Sequence, residues 1–133
     1  MIPRAIHSAM LAQAAAEAPN ECCGLLAGHM APGGEGYRIV ERFPLINALA
    51  SPTEFESEPR GLLAAHRELR AKNLEILAVY HSHPTSPAKP SKKDRAMSYS
   101  EQVATVIVSL VENEMRAWWI ARDEMVEAII IVV

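Results

Sequence analysis

Between Glu75 and His81 the chain reads EILAVYH, a run with one charge at its start and almost no alternation after it. A strand of this kind must be covered on both faces, which requires a sheet with helices on either side. The run does not simply end. It continues His81-Ser82-His83-Pro84, so two imidazoles spaced two residues apart sit where the buried strand gives way to a proline-stiffened loop. Side chains two apart on a strand share a face, and both rings can therefore address one point.

The rest of the 133 residues supply the elements such a strand needs. Pro3 and the alanine-rich run Arg4–Ala18 predict a helix that Pro19 stops. Cys22–Ala27 reads as a short apolar strand, His29–Gly36 as a glycine-rich turn, and Tyr37–Leu45 as a returning strand. A second helix follows the polar stretch Asn47–Ser57, with Ser57 as its expected N-cap and Pro59 in its first turn. Leu62, Ala65, His66 and Leu69 recur at helical spacing, and Asn73 is placed to end that helix in a left-handed conformation. His66 is expected to be half-buried. A third helix is predicted from Ser91 to about Glu101. The remainder alternates strand and turn: Thr105–Val111, Ala117–Ala121 and Val126–Val132, separated by Glu112-Asn113-Glu114 and Arg122-Asp123-Glu124. The expected fold is α/β (α+β), a mixed sheet of about six strands with three main helices, in one domain over 1–133.

Composition narrows the function classes. The net charge of −3 gives no general attraction to nucleic acid or anionic membranes. The local run Lys89, Lys92, Lys93 and Arg95 reads first as a solvated helix face. No apolar run reaches the ~20 residues needed to span a bilayer. Arg4 and the following alanines loosely imitate a signal peptide, but His7, Ser8 and Gln13 interrupt it, so a mature helix is expected. Cys22 and Cys23 are adjacent, a poor geometry for a disulfide, and read as reduced core thiols of a cytoplasmic protein. Trp118-Trp119 reads as core plus surface rather than a binding platform.

Eleven positions after His83 stands Asp94, in the expected first turn of the third helix, where it can fold back toward the histidines. Two neutral nitrogens and a carboxylate suit zinc and leave a fourth tetrahedral position open, the mark of a catalytic rather than a structural site. Each part has an ordinary reading. Two histidines on a strand are commonly just exposed residues, Ser91-x-x-Asp94 is also a helix capping box, and Glu21 alone is a surface carboxylate.

The joint pattern is more specific. Glu21 in NECCGLLAG, then His81-x-His83, seven residues, Ser91, two residues, Asp94, closely resembles the JAMM (MPN-plus, Mov34/PAD-1) metallopeptidases. The resemblance runs from Glu21 to Asp94 and implies a JAMM/cytidine-deaminase-like fold. It implies His81, His83 and Asp94 as ligands of one zinc ion, Glu21 as general base, and Ser91 as the hydroxyl that steadies the oxyanion. The chain resembles the compact bacterial members, which act at the C-terminal Gly-Gly tail of small ubiquitin-like sulfur-carrier proteins. A monomer or homodimer is compatible with this reading. Two other classes stay open: a non-catalytic scaffold of the same fold, and a zinc hydrolase of a small amide.

Overall fold

A computed structural model of the chain describes residues 1–34, 36–98 and 100–133. Helix α1 (Arg4–Glu17) ends just before Pro19, as expected from the proline. Strand β1 (Cys23–Met30) is longer than the sequence suggests. His29 belongs to it, and the turn is confined to Pro32–Gly34 and Gly36, whose three glycines have φ of 84°, 73° and 89°. Glu35, within that expected turn, lies outside the described residues. Strand β2 (Tyr37–Leu45) has the expected bounds.

Helix α2 (Pro59–Ala71) is capped by Glu58 rather than Ser57. The Glu58 carboxylate accepts from the backbone N–H groups of Arg60 and Gly61, at 3.0 and 2.7 Å. Ser57 is instead taken up by an isolated bridge to Asn47. Asn73 closes the helix with φ 55°, and His66 is half-buried, both as expected. Strand β3 (Glu75–His83) carries both histidines. Helix α3 (Lys92–Ala96) is a single turn and a half, well short of Glu101. Ser98 and Ser100 follow it, and the Ser100 hydroxyl accepts from the Gln102 N–H, a local bond that competes with helix continuation. Tyr99, inside the expected helix, lies outside the described residues.

Strand β4 (Ala104–Ser109) stops two residues early because the Ser109 hydroxyl accepts the Glu112 N–H and closes the turn. Strands β5 (Glu114–Ile120) and β6 (Met125–Ala128) complete the sheet. The expected strand to Val132 breaks at Ala128. The chain beyond it pairs with the N-terminus, Ile2 donating to Ile131 O and Val133 to Ile2 O, so its backbone groups are satisfied away from β5.

The six strands run β2-β1-β3-β4-β5-β6, with β3 and β4 parallel and every other pair antiparallel. β3 is therefore central, as its apolar run requires. On one face Met10 and Ala14 of α1 pack over Leu26, Ala78, Tyr80, Val106 and Val108. On the other, Ala65 and Leu69 of α2 pack over Cys23, Leu25 and Phe43. A third cluster, Ala88, Ile107, Trp118 and Ile120, anchors the loop after β3. Cys22 and Cys23 are free and buried. Trp118 is core, while Trp119 is partly exposed against Tyr37, ring centroids 5.8 Å apart. Among the described residues no helix is long and apolar enough to cross a membrane.

Candidate metal centre

The pleat of β3 sorts its last three residues. His81 and His83 point to the α2 face, and Ser82 points through to the other. Ser82 is fully buried and ties β3 to the start of β1: Cys22 N–H donates to its hydroxyl at 2.7 Å, and its own N–H donates to Cys22 O at 3.1 Å. Cys23 stands opposite His81 in the antiparallel register. Glu21, two residues before Cys23 and just outside β1, is near enough to His83 and Asp94 for their charges to act on its carboxyl.

The structure brings His81, His83 and Asp94 together. The Nε2 atoms of the two rings are 3.3 Å apart, and Asp94 Oδ2 lies 3.2 Å from His81 Nε2 and 2.9 Å from His83 Nε2. His83 Nδ1 faces the Pro87 carbonyl at 2.7 Å. A carbonyl only accepts, so Nδ1 carries a proton, and Nε2 of the neutral ring is left as a lone-pair donor aimed at the cluster. His81 is stacked under Phe55, ring centroids 4.6 Å apart and planes 22° from parallel. Burial opposes charge on His83, yet its bonds to Asp94 and the Pro87 carbonyl hold its pKa above the usual histidine value. Burial likewise works against the Asp94 carboxylate, but the hydrogen bonds from His81 and His83 hold its pKa far below the usual range.

Glu21 is 3% exposed, and its Oε1 has no hydrogen-bond partner among the described residues. Burial pushes its pKa up to about 7; the charge on His83 pulls down, and Asp94 and Glu54 push up. Its backbone is held by the loop before α2. Glu21 N–H donates to Ser51 O at 2.8 Å, and the buried Asn47 amide donates to Glu21 O at 3.0 Å and to Glu54 O at 2.9 Å. Ser91 is exposed at the N-cap of α3. Its hydroxyl oxygen accepts the Asp94 N–H at 3.0 Å, which leaves its O–H proton free to donate outward.

Three residues of this environment were not singled out in the sequence: Asn47, Phe55 and Pro87. Asn47 and Phe55 sit in a polar loop with no periodicity, and Pro87 contributes only a carbonyl. The charges Lys89, Lys92 and Arg95 are exposed as expected of a solvated face, while Lys93 pairs with Glu54 across the rim of the centre. Beside His81 and Asp94 opens an apolar groove of about 140 Å³, walled by Leu25, Leu45, Phe55, Leu62, Val79 and Met97.

The donor set fits a zinc ion on geometry as well as on type. With metal–ligand bonds of about 2.0–2.1 Å, the donors of a tetrahedral zinc stand about 3.3 Å from one another. The three distances here, 2.9, 3.2 and 3.3 Å, are close to that triangle. Two imidazole nitrogens and a carboxylate oxygen that crowd together in a buried place are a donor set that a shared cation would satisfy.

The family profile described as prokaryotic homologs of the JAB domain matches residues 3–121. The chain belongs to that family. Among curated relatives of this JAB-family chain, a probable TtuB-protein conjugate cleaving protease of Thermus thermophilus is 41% identical over 95 residues, which are 70% of this chain and 59% of the relative; the chain thus spans under two thirds of that protein's length. A desampylase of Pyrococcus furiosus is 34% identical over 113 residues, 85% of this chain and 76% of the relative. The CysO-cysteine peptidase of Mycobacterium tuberculosis is 30% identical over 123 residues, 90% and 82%. The solution structure of protein DSY2949 from Desulfitobacterium hafniense superposes with TM-score 0.83 at 33% identity, covering 100% of this chain and 93% of that one. The JAB1/MPN domain protein AF2198 from Archaeoglobus fulgidus shares the fold, with TM-score 0.63 at 22% identity over 99% and 97%.

Proposed function

We propose that this JAB-family chain is a zinc-dependent peptidase that hydrolyses an amide at the C-terminal glycine tail of a small ubiquitin-like sulfur-carrier protein. The observation that carries the reading is the convergence of His81 Nε2, His83 Nε2 and Asp94 Oδ2 within 2.9–3.3 Å, within charge reach of a buried Glu21 carboxylate whose Oε1 has no partner among the described residues. The relatives named for cleaving TtuB-protein conjugates and for CysO-cysteine support a conjugate or extension of such a carrier as the substrate class. These residues act as one domain in the cytoplasm, where Cys22 and Cys23 stay reduced.

His81, His83 and Asp94 hold the ion, which when bound supplies Lewis acidity and a water acidic enough to react near neutral pH. Glu21 takes the proton of the attacking water. Its burial suits this, because a carboxylate with a pKa near 7 is a stronger base than an ordinary one and still mostly ionised slightly above neutrality. The same carboxyl then returns the proton to the leaving amine, so protons balance without a covalent intermediate. Ser91 donates its free O–H to the developing oxyanion. A single such donor is typically worth roughly 3 kcal/mol of barrier. Phe55 and Leu62 of α2 line the apolar groove beside His81, whose size suits a narrow tail better than a bulky chain.

The test is cleavage of a carrier protein extended beyond Gly-Gly, followed by mass spectrometry with zinc present. The parent protein is expected to trim the extension and Glu21→Gln is not. Trimming that is equal in both, or absent from a zinc-loaded parent that hydrolyses short peptides instead, contradicts the substrate assignment.

A further inference from the structure

The β4–β5 turn, which the mechanism above does not use, is bonded directly to the loop that orients His83. The peptide group between Pro87 and Ala88 is held at both ends. Its carbonyl accepts from His83 Nδ1 at 2.7 Å, and its N–H donates to Glu112 Oε1 at 2.8 Å. Glu112 is in turn placed by Ser109, whose fully buried hydroxyl accepts the Glu112 N–H at 3.1 Å and donates to Ser86 O at 2.7 Å. Ser109 stands opposite His83 in the parallel β3–β4 register, so the chain of bonds starts and ends on neighbouring residues of the sheet.

Resting on the metal-centre reading, we propose that Glu112 is a positioning residue for His83, acting through the Pro87–Ala88 peptide. Metal-bound histidines commonly donate their second ring N–H to a carboxylate or a carbonyl. Here both are present in series. The carboxylate on the N–H end of the peptide polarises it and strengthens its carbonyl as an acceptor, because hydrogen bonds in a chain reinforce one another. That fixes the Nδ1–H tautomer and the plane of the ring, and makes Nε2 a better donor. The setting is built to be rigid. Ala88 is fully buried in the Ile107–Trp118–Ile120 cluster, Trp118 Nε1 donates to Ala88 O at 2.9 Å, and Lys89 N–H shares the Pro87 carbonyl at 2.8 Å. The Glu112 carboxylate bonds to the Ala88 N–H, and it is through the carbonyl of that same peptide that its effect reaches His83.

The experiment is zinc affinity by chelator competition on the full chain, with the His83 Nδ1–H resonance followed by ¹H–¹⁵N NMR. Replacing an outer partner of a metal-bound histidine commonly weakens the metal 10–100-fold, and Glu112→Ala, one peptide further out, is expected to weaken zinc by about fivefold to tenfold. The His83 Nδ1–H signal should broaden or shift in the same variant. Glu112→Gln keeps a carbonyl oxygen for the Ala88 N–H and should stay close to the parent, which also covers the case in which the alanine variant fails to fold. Glu114→Ala, at the first residue of β5 and paired with Arg116, should change neither reading. Parent-like zinc affinity and an unmoved His83 signal in Glu112→Ala overturn the proposal, as does a Gln variant that loses as much as Ala. If the parent itself binds no zinc, the metal-centre reading fails separately. The His83 signal of the metal-free proteins then decides: selective loss in Glu112→Ala supports the positioning role, and no change overturns it.

Discussion

Asp94 and Ser91 bond to each other in both directions: the Ser91 N–H donates to Asp94 Oδ2 at 2.9 Å, and the Asp94 N–H donates to Ser91 Oγ at 3.0 Å. The same Oδ2 faces both histidines. The helix cap and the candidate ligand are therefore one carboxylate, and the two readings of Ser91-x-x-Asp94 coexist. The pair can be separated by mutation. Ser91→Ala removes a cap and an outward O–H, so about 1 kcal/mol of stability should be lost with zinc affinity nearly kept. Its kcat should fall more than its KM rises. Asp94→Asn retains an acceptor for the Ser91 N–H but not the charge, and should lose metal affinity with little change in the melting of the metal-free protein. Equal zinc affinity in the two variants would contradict this division.

Glu21 ties activity to stability in opposite directions. Its folded-state pKa of about 7 lies above the ordinary 4.5, so between those values the folded protein keeps a proton that the unfolded chain has released. Metal-free stability from this group is full below pH 4.5 and declines as pH rises through about 7. Glu21→Gln removes that decline. In chelator, the variant should gain stability over the parent between pH 5 and pH 8, read as the shift in urea midpoint. With zinc it should lose activity by roughly 10²–10⁴-fold, the usual worth of a positioned base. A variant with near-parent kcat would remove Glu21 from the mechanism.

His83 makes zinc binding pH-dependent. Because its pKa is held above the usual histidine value, a proton must leave the ring before Nε2 can bind metal. Zinc affinity should tighten as pH rises through that pKa and then level. Calorimetry in buffers of different ionisation heat should show proton release that shrinks as pH rises above the ordinary histidine range. Affinity that is flat over this range would mean that the proton is not competing for the site.

Gly24 faces Tyr80 across the β1–β3 pair, and a Cβ at Gly24 would lie 2.3 Å from the Tyr80 ring. The ring is fully buried and its hydroxyl donates to Gln13 of α1, with Arg42 donating to the same Gln13 oxygen, so it cannot swing aside freely. Gly24→Ala is expected to cost about 1–3 kcal/mol, the usual range for overpacking. Gly24→Ala combined with Tyr80→Leu should recover part of that loss in denaturant titration. No recovery would place the strain elsewhere.

What the sequence made legible follows from periodicity and spacing. The apolar run Glu75–His81 located the central strand, and the two-residue step from His81 to His83 put both rings on one face. The Cys23–His81 register also explains why Glu21, remote in sequence and just before β1, comes near the end of β3. Helix ends were harder, because Glu58 outcompetes Ser57 as a cap only once Ser57 is drawn into a bridge with Asn47. The C-terminal strand was overextended for a related reason: nothing in Ile129–Val133 reveals that its backbone pairs with Ile2. Asn47 and Phe55 escaped notice, and Glu112 was read only as a turn residue, because their roles lie in contacts between loops, which leave no repeat and no fixed spacing.

The most direct test of the metal centre is the zinc content of the purified chain after loading and exhaustive dialysis, measured by elemental analysis beside His81→Ala and Asp94→Ala. One zinc per parent chain, and little in either folded variant, is the expected result. A parent without zinc, or variants that retain as much as the parent, would contradict the assignment of His81, His83 and Asp94 as its ligands.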